Sequence, residues 1–138
     1  MSYIHVYQGV PTSGGTDGVA VSEGGAQTNP IPFTLNATTS QVGTALKLAI
    51  RTDATYQTTS GVNTVISLTG TTAAKWALAP DSSGSPGTFG SYGASLTIST
   101  QIAPTNTNFW VKAQATTGET PQNDVSVSLQ VVAQVEAI

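Results

Sequence analysis

Few side chains in this sequence could take part in catalysis. The chain of 138 residues has one histidine, His5, and no cysteine, so nucleophilic catalysis would have to pair a hydroxyl group with that single base. His5 lies between Tyr3 and Tyr7 in an alternating segment, which favours a surface position on a strand over a catalytic one. We therefore expect that the protein is not an enzyme.

The acidic residues form no pattern typical of catalysis or metal binding. They lie in or beside predicted turns or near the carboxyl end: Asp17, Glu23, Asp53, Asp81, Glu119, Asp124 and Glu136. A calcium site needs several carboxylates in one loop, and paired-carboxylate catalysis needs two that face each other, so we predict no metal and no other cofactor. Residues 14–18 lack the lysine of a phosphate-binding loop, and we interpret them as a flexible turn.

Aromatic side chains are the remaining candidates for binding. Trp110 is out of phase with the apolar residues of its predicted strand, and Tyr56 and Tyr92 lie in predicted loops. These three rings could form a platform for sugar rings, but we favour a Trp110 that covers the far face of its sheet or contacts a neighbouring subunit. With Tyr3 and Tyr7 on the first strand, they are the candidate interface or ligand contacts.

The composition indicates a folded protein with little charge. Only 8% of the residues are charged and the net charge is -3, whereas the chain has 23 Thr and 14 Ser. A hydrophobic content of 38% argues against disorder. Four Lys and Arg residues are too few to hold a phosphate backbone, so we do not expect nucleic acid as a partner.

The first residues show neither the basic region nor the apolar stretch of a signal peptide. The apolar runs are far shorter than the roughly 20 residues of a membrane-spanning helix. We therefore expect a protein that is made and kept in a cytosol, without a membrane partner.

The hydrophobic pattern has a period of two, which predicts strands and almost no helix. In the clearest early segment, Leu46, Leu48 and Ile50 alternate with more polar residues. Further strands are predicted around residues 3–7, 19–21, 62–68, 75–79 and 96–98. A strand through Phe33 and Leu35 must lie at an edge because prolines precede it, and residues 81–93 are interpreted as a long irregular connection.

Two long alternating segments, residues 109–115 and 125–131, predict a hairpin joined by a polar turn at residues 117–123. One sheet cannot cover its own apolar face, so a second sheet is required. We predict an all-β, two-sheet antiparallel sandwich of the immunoglobulin-like type over residues 1–138, with a jelly roll or small barrel as the alternative. The glycine-rich residues 9–29 form a loop or an arm of this single domain. The predicted core includes Leu46, Leu48, Ile50, Trp76, Val111, Val127 and Leu129.

Three stretches resemble a known group of proteins. They are TTAAKWALAPD at residues 71–81, NTNFWVKAQA at residues 106–115, and the ETPQND turn at residues 119–124 with the strand that follows it. Together they are similar to the small Ig-like proteins that tailed phages and prophages encode among their virion genes. The resemblance covers roughly residues 44–138 and implies a structural role as a head decoration, neck or tail accessory protein. It also implies an oligomer without catalytic residues, assembled in the cytoplasm of a bacterial host.

Two functions of different classes follow from the sequence. The first is a virion structural or interaction protein that self-associates or docks on another virion protein. The second is a carbohydrate-binding module that uses exposed aromatic residues. The low charge favours the first, because the chain has few lysines to keep exposed strand edges apart.

Overall fold

The computed structural model describes residues 3–23, 29–117, 119 and 126–138. Strands dominate these residues, with two single-turn 3-10 helices at Ala37–Thr39 and Ala73–Lys75. The strands, in chain order, are β1 Ile4–Gln8, β2 Val19–Ala20, β3 Leu46–Thr52, β4 Tyr56–Thr58, β5 Thr64–Thr69, β6 Trp76–Ser82, β7 Ser85–Pro86, β8 Leu96–Ile98, β9 Thr107–Ala113, β10 Ser128–Val132 and β11 Val135–Ala137. Over the described ranges, neither helix has the length and apolar character needed to cross a membrane.

The strands form two layers, and every pairing between them is antiparallel. The first layer is one large sheet in the order β2-β1-β3-β9-β6-β7. The second layer consists of the three-stranded sheet β10-β5-β8 and the two-stranded sheet β11-β4. The predicted all-β antiparallel sandwich is therefore confirmed.

The core lies between the two layers and is made by alternate residues of the paired strands. Leu48 and Ile50 from β3 and Phe109 and Val111 from β9 are fully buried, and Ile66 from β5 meets them from the second layer. Because β3 and β9 lie in the middle of the large sheet, their inward side chains are covered by neighbours on every side.

The predicted core is confirmed in its centre and less buried towards the margins. Leu48, Ile50 and Val111 are buried as predicted. The other four residues of the prediction are only half-buried and pack against the core from its periphery: Leu46, Trp76, Val127 and Leu129.

The predicted hairpin between residues 109–115 and 125–131 is wrong. β9 pairs with β3 and β6 in the large sheet, whereas β10 pairs with β5 in the other layer. The chain therefore crosses between layers after β9. Most of the turn predicted at residues 117–123, and Val125 at the predicted start of the last strand, lie outside the described residues.

Other local predictions also need correction. Phe33 and Leu35 belong to no strand, although Phe33 packs against the core. Tyr56 lies in the short strand β4 instead of a loop. The connection predicted for residues 81–93 begins later than expected, because β6 continues to Ser82 and forms a tight hairpin with β7.

One long antiparallel ladder, interrupted once, holds most of the second layer together. Tyr56 lies opposite Ala137 in the pairing of β4 with β11, and Val65 lies opposite Val132 in the pairing of β5 with β10. Between these pairs, Thr59 N–H donates to Gln134 O over 2.8 Å. The exposed turn at residues 60–63 shifts the register of the ladder between its two halves.

A matched pair of leucine substitutions tests the difference in burial between the centre of the core, at Leu48, and its margin, at Leu129. Leu48→Ala should lower the free energy of unfolding by about 2–5 kcal/mol, because it leaves a closed cavity between the layers. Leu129→Ala should cost only about 1 kcal/mol, since solvent already reaches its half-buried side chain. Urea unfolding measures both values, and equal losses would place Leu129 in the closed core.

Candidate functional site

Tyr3 and Tyr56 form a stacked aromatic pair at the start of β1. Their ring centroids are 4.2 Å apart, with an angle of 24° between the planes, and Tyr3 is 38% exposed. The neighbouring Tyr3 hydroxyl group raises the pKa of Tyr56, and the negative charge of Asp53 adds to this effect. The pair is thus a partly exposed aromatic surface.

Tyr7 and Trp110 face the outer side of the large sheet, and each already has a partner within the chain. The guanidinium of Arg51 lies 3.5 Å from the centroid of the Tyr7 ring. Trp110 Nε1 donates a hydrogen bond to Asp81 Oδ1 over 2.7 Å. Trp110 is part-buried, so its predicted exposure on the far face is only partial.

Tyr92 also lies close to the outer face of the large sheet, where the Lys112 amine is near both its ring and that of Phe89. The Lys112 amine lies 5.6 Å from the Tyr92 ring centroid and 4.4 Å from that of Phe89. Tyr92 is thus near β9, whereas Tyr56 is in β4 of the second layer. The structure therefore pairs Tyr3 with Tyr56 and places Tyr7, Trp110 and Tyr92 at the large sheet, so Tyr56 does not share a platform with Trp110 and Tyr92.

His5 lies between two carboxylates. Its Nδ1 is 2.6 Å from Glu23 Oε1, and its Nε2 is 3.3 Å from Asp53 Oδ1. A general base for a serine or threonine nucleophile must present one ring nitrogen to a hydroxyl group. In His5, carboxylates occupy both nitrogens.

Residues 11–18 are tied to the outer face of the large sheet by Asn106. The Asn106 amide donates to Thr12 O over 3.0 Å and to Asp17 Oδ1 over 3.0 Å. Its backbone exchanges hydrogen bonds with the glycine loop, from Gly14 N to Asn106 O and from Asn106 N to Gly15 O. The turn predicted at residues 14–18 is thus held against the sheet by hydrogen bonds.

Arg51 and Asn108 also hold this loop against the sheet. We call residues 11–18 together with Arg51, Asn106 and Asn108 the clasp. Arg51 donates to Asp17 O over 2.8 Å, and the Asn108 amide donates to Pro11 O over 3.0 Å. Pro11 and Asn108 are both buried, which shows that the loop covers the sheet here. The sequence signal for the clasp is the spacing of the two asparagines by two residues, which places both side chains on the same side of an extended segment, with Asn106 immediately before β9.

The Asp17 carboxylate in the clasp should affect how the stability of the fold depends on pH in the acid range. Hydrogen bonds from the Thr12 backbone N–H and hydroxyl hold the pKa of Asp17 below its usual value of 3.8, and Arg51 contributes a smaller effect. A carboxyl group with a lowered folded-state pKa stabilises the fold above the unfolded-state pKa, and this stabilisation is lost as the pH falls through the folded-state value. Asp17→Asn should therefore lose less stability than the wild type on acidification.

Melting temperatures measured from about pH 5 to about pH 2 give this comparison. Glu136→Gln removes an exposed carboxylate on β11, far from the clasp in the sequence, and serves as the control. Its melting curve should follow that of the wild type. If Asp17→Asn and the wild type lose stability in parallel, the clasp does not depend on the ionised carboxylate.

The outer edge of the second layer is formed by β10 and β11. β10 pairs with β5 and β11 pairs with β4, and among the described residues no strand lies on their other side. Alternate backbone N–H and C=O groups of a strand in this position face away from its partner. Residues 126–138 contain no Lys, Arg or Pro, and their one charge, Glu136, accepts a hydrogen bond from Gln57.

Apolar side chains lie directly behind this edge. Val127, Leu129 and Val131 pack against the core but remain half-buried, and Val132 on the opposite face is 58% exposed. The margins of the large sheet differ, because β2 and β7 have only two residues each and β7 ends in Pro86. The edge at β10 is therefore longer and less protected than those margins.

The described residues contain no group of three or more His, Cys, Asp or Glu side chains that could hold a metal ion. No protein-family model matches the chain, and neither the curated proteins nor the solved structures contain a match to it. The sites on the molecule therefore have to be interpreted from their own geometry.

Proposed function

We propose that the protein is a non-enzymatic structural protein of a phage or prophage particle that assembles by adding a strand to the β10–β11 edge. The partner is a second copy of the chain or another virion protein. The observation that carries this proposal is the length and lack of protection of that edge in a nearly uncharged chain.

An added strand would satisfy two requirements of the edge at once. It would pair with the outward N–H and C=O groups of β10, and it would cover the half-buried Val127, Leu129 and Val131. The contact would rest on backbone hydrogen bonds and apolar burial, so it should persist at moderate salt concentrations. A contact that persists at moderate salt concentrations suits a protein that stays bound within a virion.

The strand order supports an immunoglobulin-like relationship. An immunoglobulin sandwich has the order A-B-E-D in one sheet, and strand F lies between C and G in the other. If β1, β3, β5, β6, β9 and β10 correspond to A to F, then β1-β3-β9-β6 and the β5–β10 pair follow this order. The open side of β10 is then the place of strand G. β8 and β11 depart from the pattern, because β8 pairs with β5 and β11 pairs with β4.

The position of His5 also favours a non-enzymatic role. Carboxylates occupy both of its ring nitrogens, which leaves none to activate a hydroxyl group. A carbohydrate-binding function based on Trp110, Tyr56 and Tyr92 has less support, because Tyr56 lies in the other layer and Trp110 is hydrogen-bonded to Asp81.

Lysine substitutions on the edge test the proposal. The double variant Ser128→Lys/Gln130→Lys adds two positive charges to exposed positions of β10 and should oppose the approach of another strand. Sedimentation velocity over a concentration series should show self-association in the wild type. The variant should weaken it by at least about tenfold, as edge lysines protect natural sheets.

The matched control places the same charges away from the edge. Ser99→Lys/Thr100→Lys changes two exposed residues after β8, on the opposite margin of the second layer, and should associate like the wild type. If the wild type is monomeric, docking on another particle component is tested by co-purification with the products of neighbouring genes, again with both variants. A wild type that neither associates nor co-purifies, or an edge variant that behaves like the control, contradicts the proposal.

A further inference from the structure

A groove of about 590 Å³ opens where β9 leaves the large sheet. At this point two neighbouring segments contact the backbone of Gln114. Val42 forms a β-bridge with Gln114, and Gln114 N–H donates to Lys75 O over 2.9 Å. The volume is within the range of roughly 300–1,000 Å³ that is typical of small-molecule sites. The groove is separate from the β10–β11 edge and from the clasp.

Two aromatic rings line the groove. Phe33 and Trp76 meet edge to face, with centroids 5.1 Å apart and an angle of 82° between the planes. Gly43 makes this packing possible, because a Cβ atom at that position would come within 2.7 Å of Phe33 Cδ1. Both rings are only half-buried, so the groove has a partly exposed apolar surface.

The polar lining has no net charge and includes available amide groups. Lys75 and Glu119 form an ion pair, so the two charges of the lining compensate each other. Gln41 Oε1 accepts a hydrogen bond from Asn36 N–H, whereas its Nε2 has no partner among the described residues. The side-chain amide of Gln114 is likewise without a partner in the described part of the chain.

We propose that this groove binds a neutral oligosaccharide. The paired Lys75 and Glu119 leave no uncompensated charge for a phosphate or a polyamine. The Trp76 ring can stack on the apolar face of a sugar ring, and the amides of Gln41 and Gln114 can donate to and accept from its hydroxyl groups. A ligand with apolar faces and many uncharged hydroxyl groups matches this lining.

NMR titration of the full chain labelled with nitrogen-15 tests the proposal. The probes are maltotriose, cellotriose and tri-N-acetylchitotriose, and the charged comparisons are AMP and spermidine. At least one trisaccharide should shift the Trp76 indole signal and the side-chain amide signals of Gln41 and Gln114, with a dissociation constant of about 0.1–1 mM. Trp110→Phe assigns the two indole signals and should leave the affinity unchanged.

The matched control for the amides is another glutamine on the surface. Gln114→Ala should weaken binding about tenfold, whereas Gln101→Ala, outside both the groove and the β10–β11 edge, should have no effect. Trp76→Phe keeps an aromatic ring at the site and should bind the trisaccharide more weakly than the wild type. It tests the groove independently if Gln114→Ala fails to fold. The proposal is overturned if no trisaccharide shifts the groove signals at ~10 mM, if the Trp110 indole shifts instead, or if AMP or spermidine binds the groove more tightly.

Discussion

The burial of the inward face of β9, together with the burial of Asn108 on its outward face, is the constraint on which the rest of the sandwich depends. Its inward residues Phe109 and Val111 fill the space between the layers. A strand covered on one side only can leave its polar face in water, but β9 cannot do so at Asn108. The second layer and the clasp therefore cover β9 from opposite sides.

The polar side chains beneath the clasp are hydrogen-bonded to the loop that covers them. Asn108 donates to Pro11 O and Leu48 O, and Asn106 binds both the backbone and the side chain of the loop. Buried amide N–H groups are costly unless they are hydrogen-bonded, so the loop has to hold Pro11 O in place for Asn108 Nδ2, whereas Asn108 Oδ1 is buried without a partner among the described residues. A segment rich in glycine can follow the sheet closely enough to supply these partners. Its composition therefore reflects close contact with the sheet.

Alternation in the sequence predicted several strands well, because each strand of a sandwich faces a core on at least one side. The alternation of Leu46, Leu48 and Ile50 predicted β3, and that of Phe109, Val111 and Ala113 predicted β9. The same alternation does not specify which strands pair, so the predicted hairpin of β9 with the last strand failed although both segments contain strands. The clasp was missed because its order depends on Asn106, far along the chain from the glycines that it holds. The groove depends in the same way on the distant residues Phe33 and Trp76.

The interrupted ladder of the second layer has a consequence for the order in which the protein folds. β4 and β5 obtain their partners β11 and β10 only after about sixty to eighty further residues have been added to the chain. During synthesis, β5 can pair with β8 soon after β8 is made, but its other side stays open until β10 leaves the ribosome. The last strand of the large sheet, β9, precedes β10 and β11 in the chain. The first layer can therefore be complete while the second layer still lacks its last two strands, which then close the core.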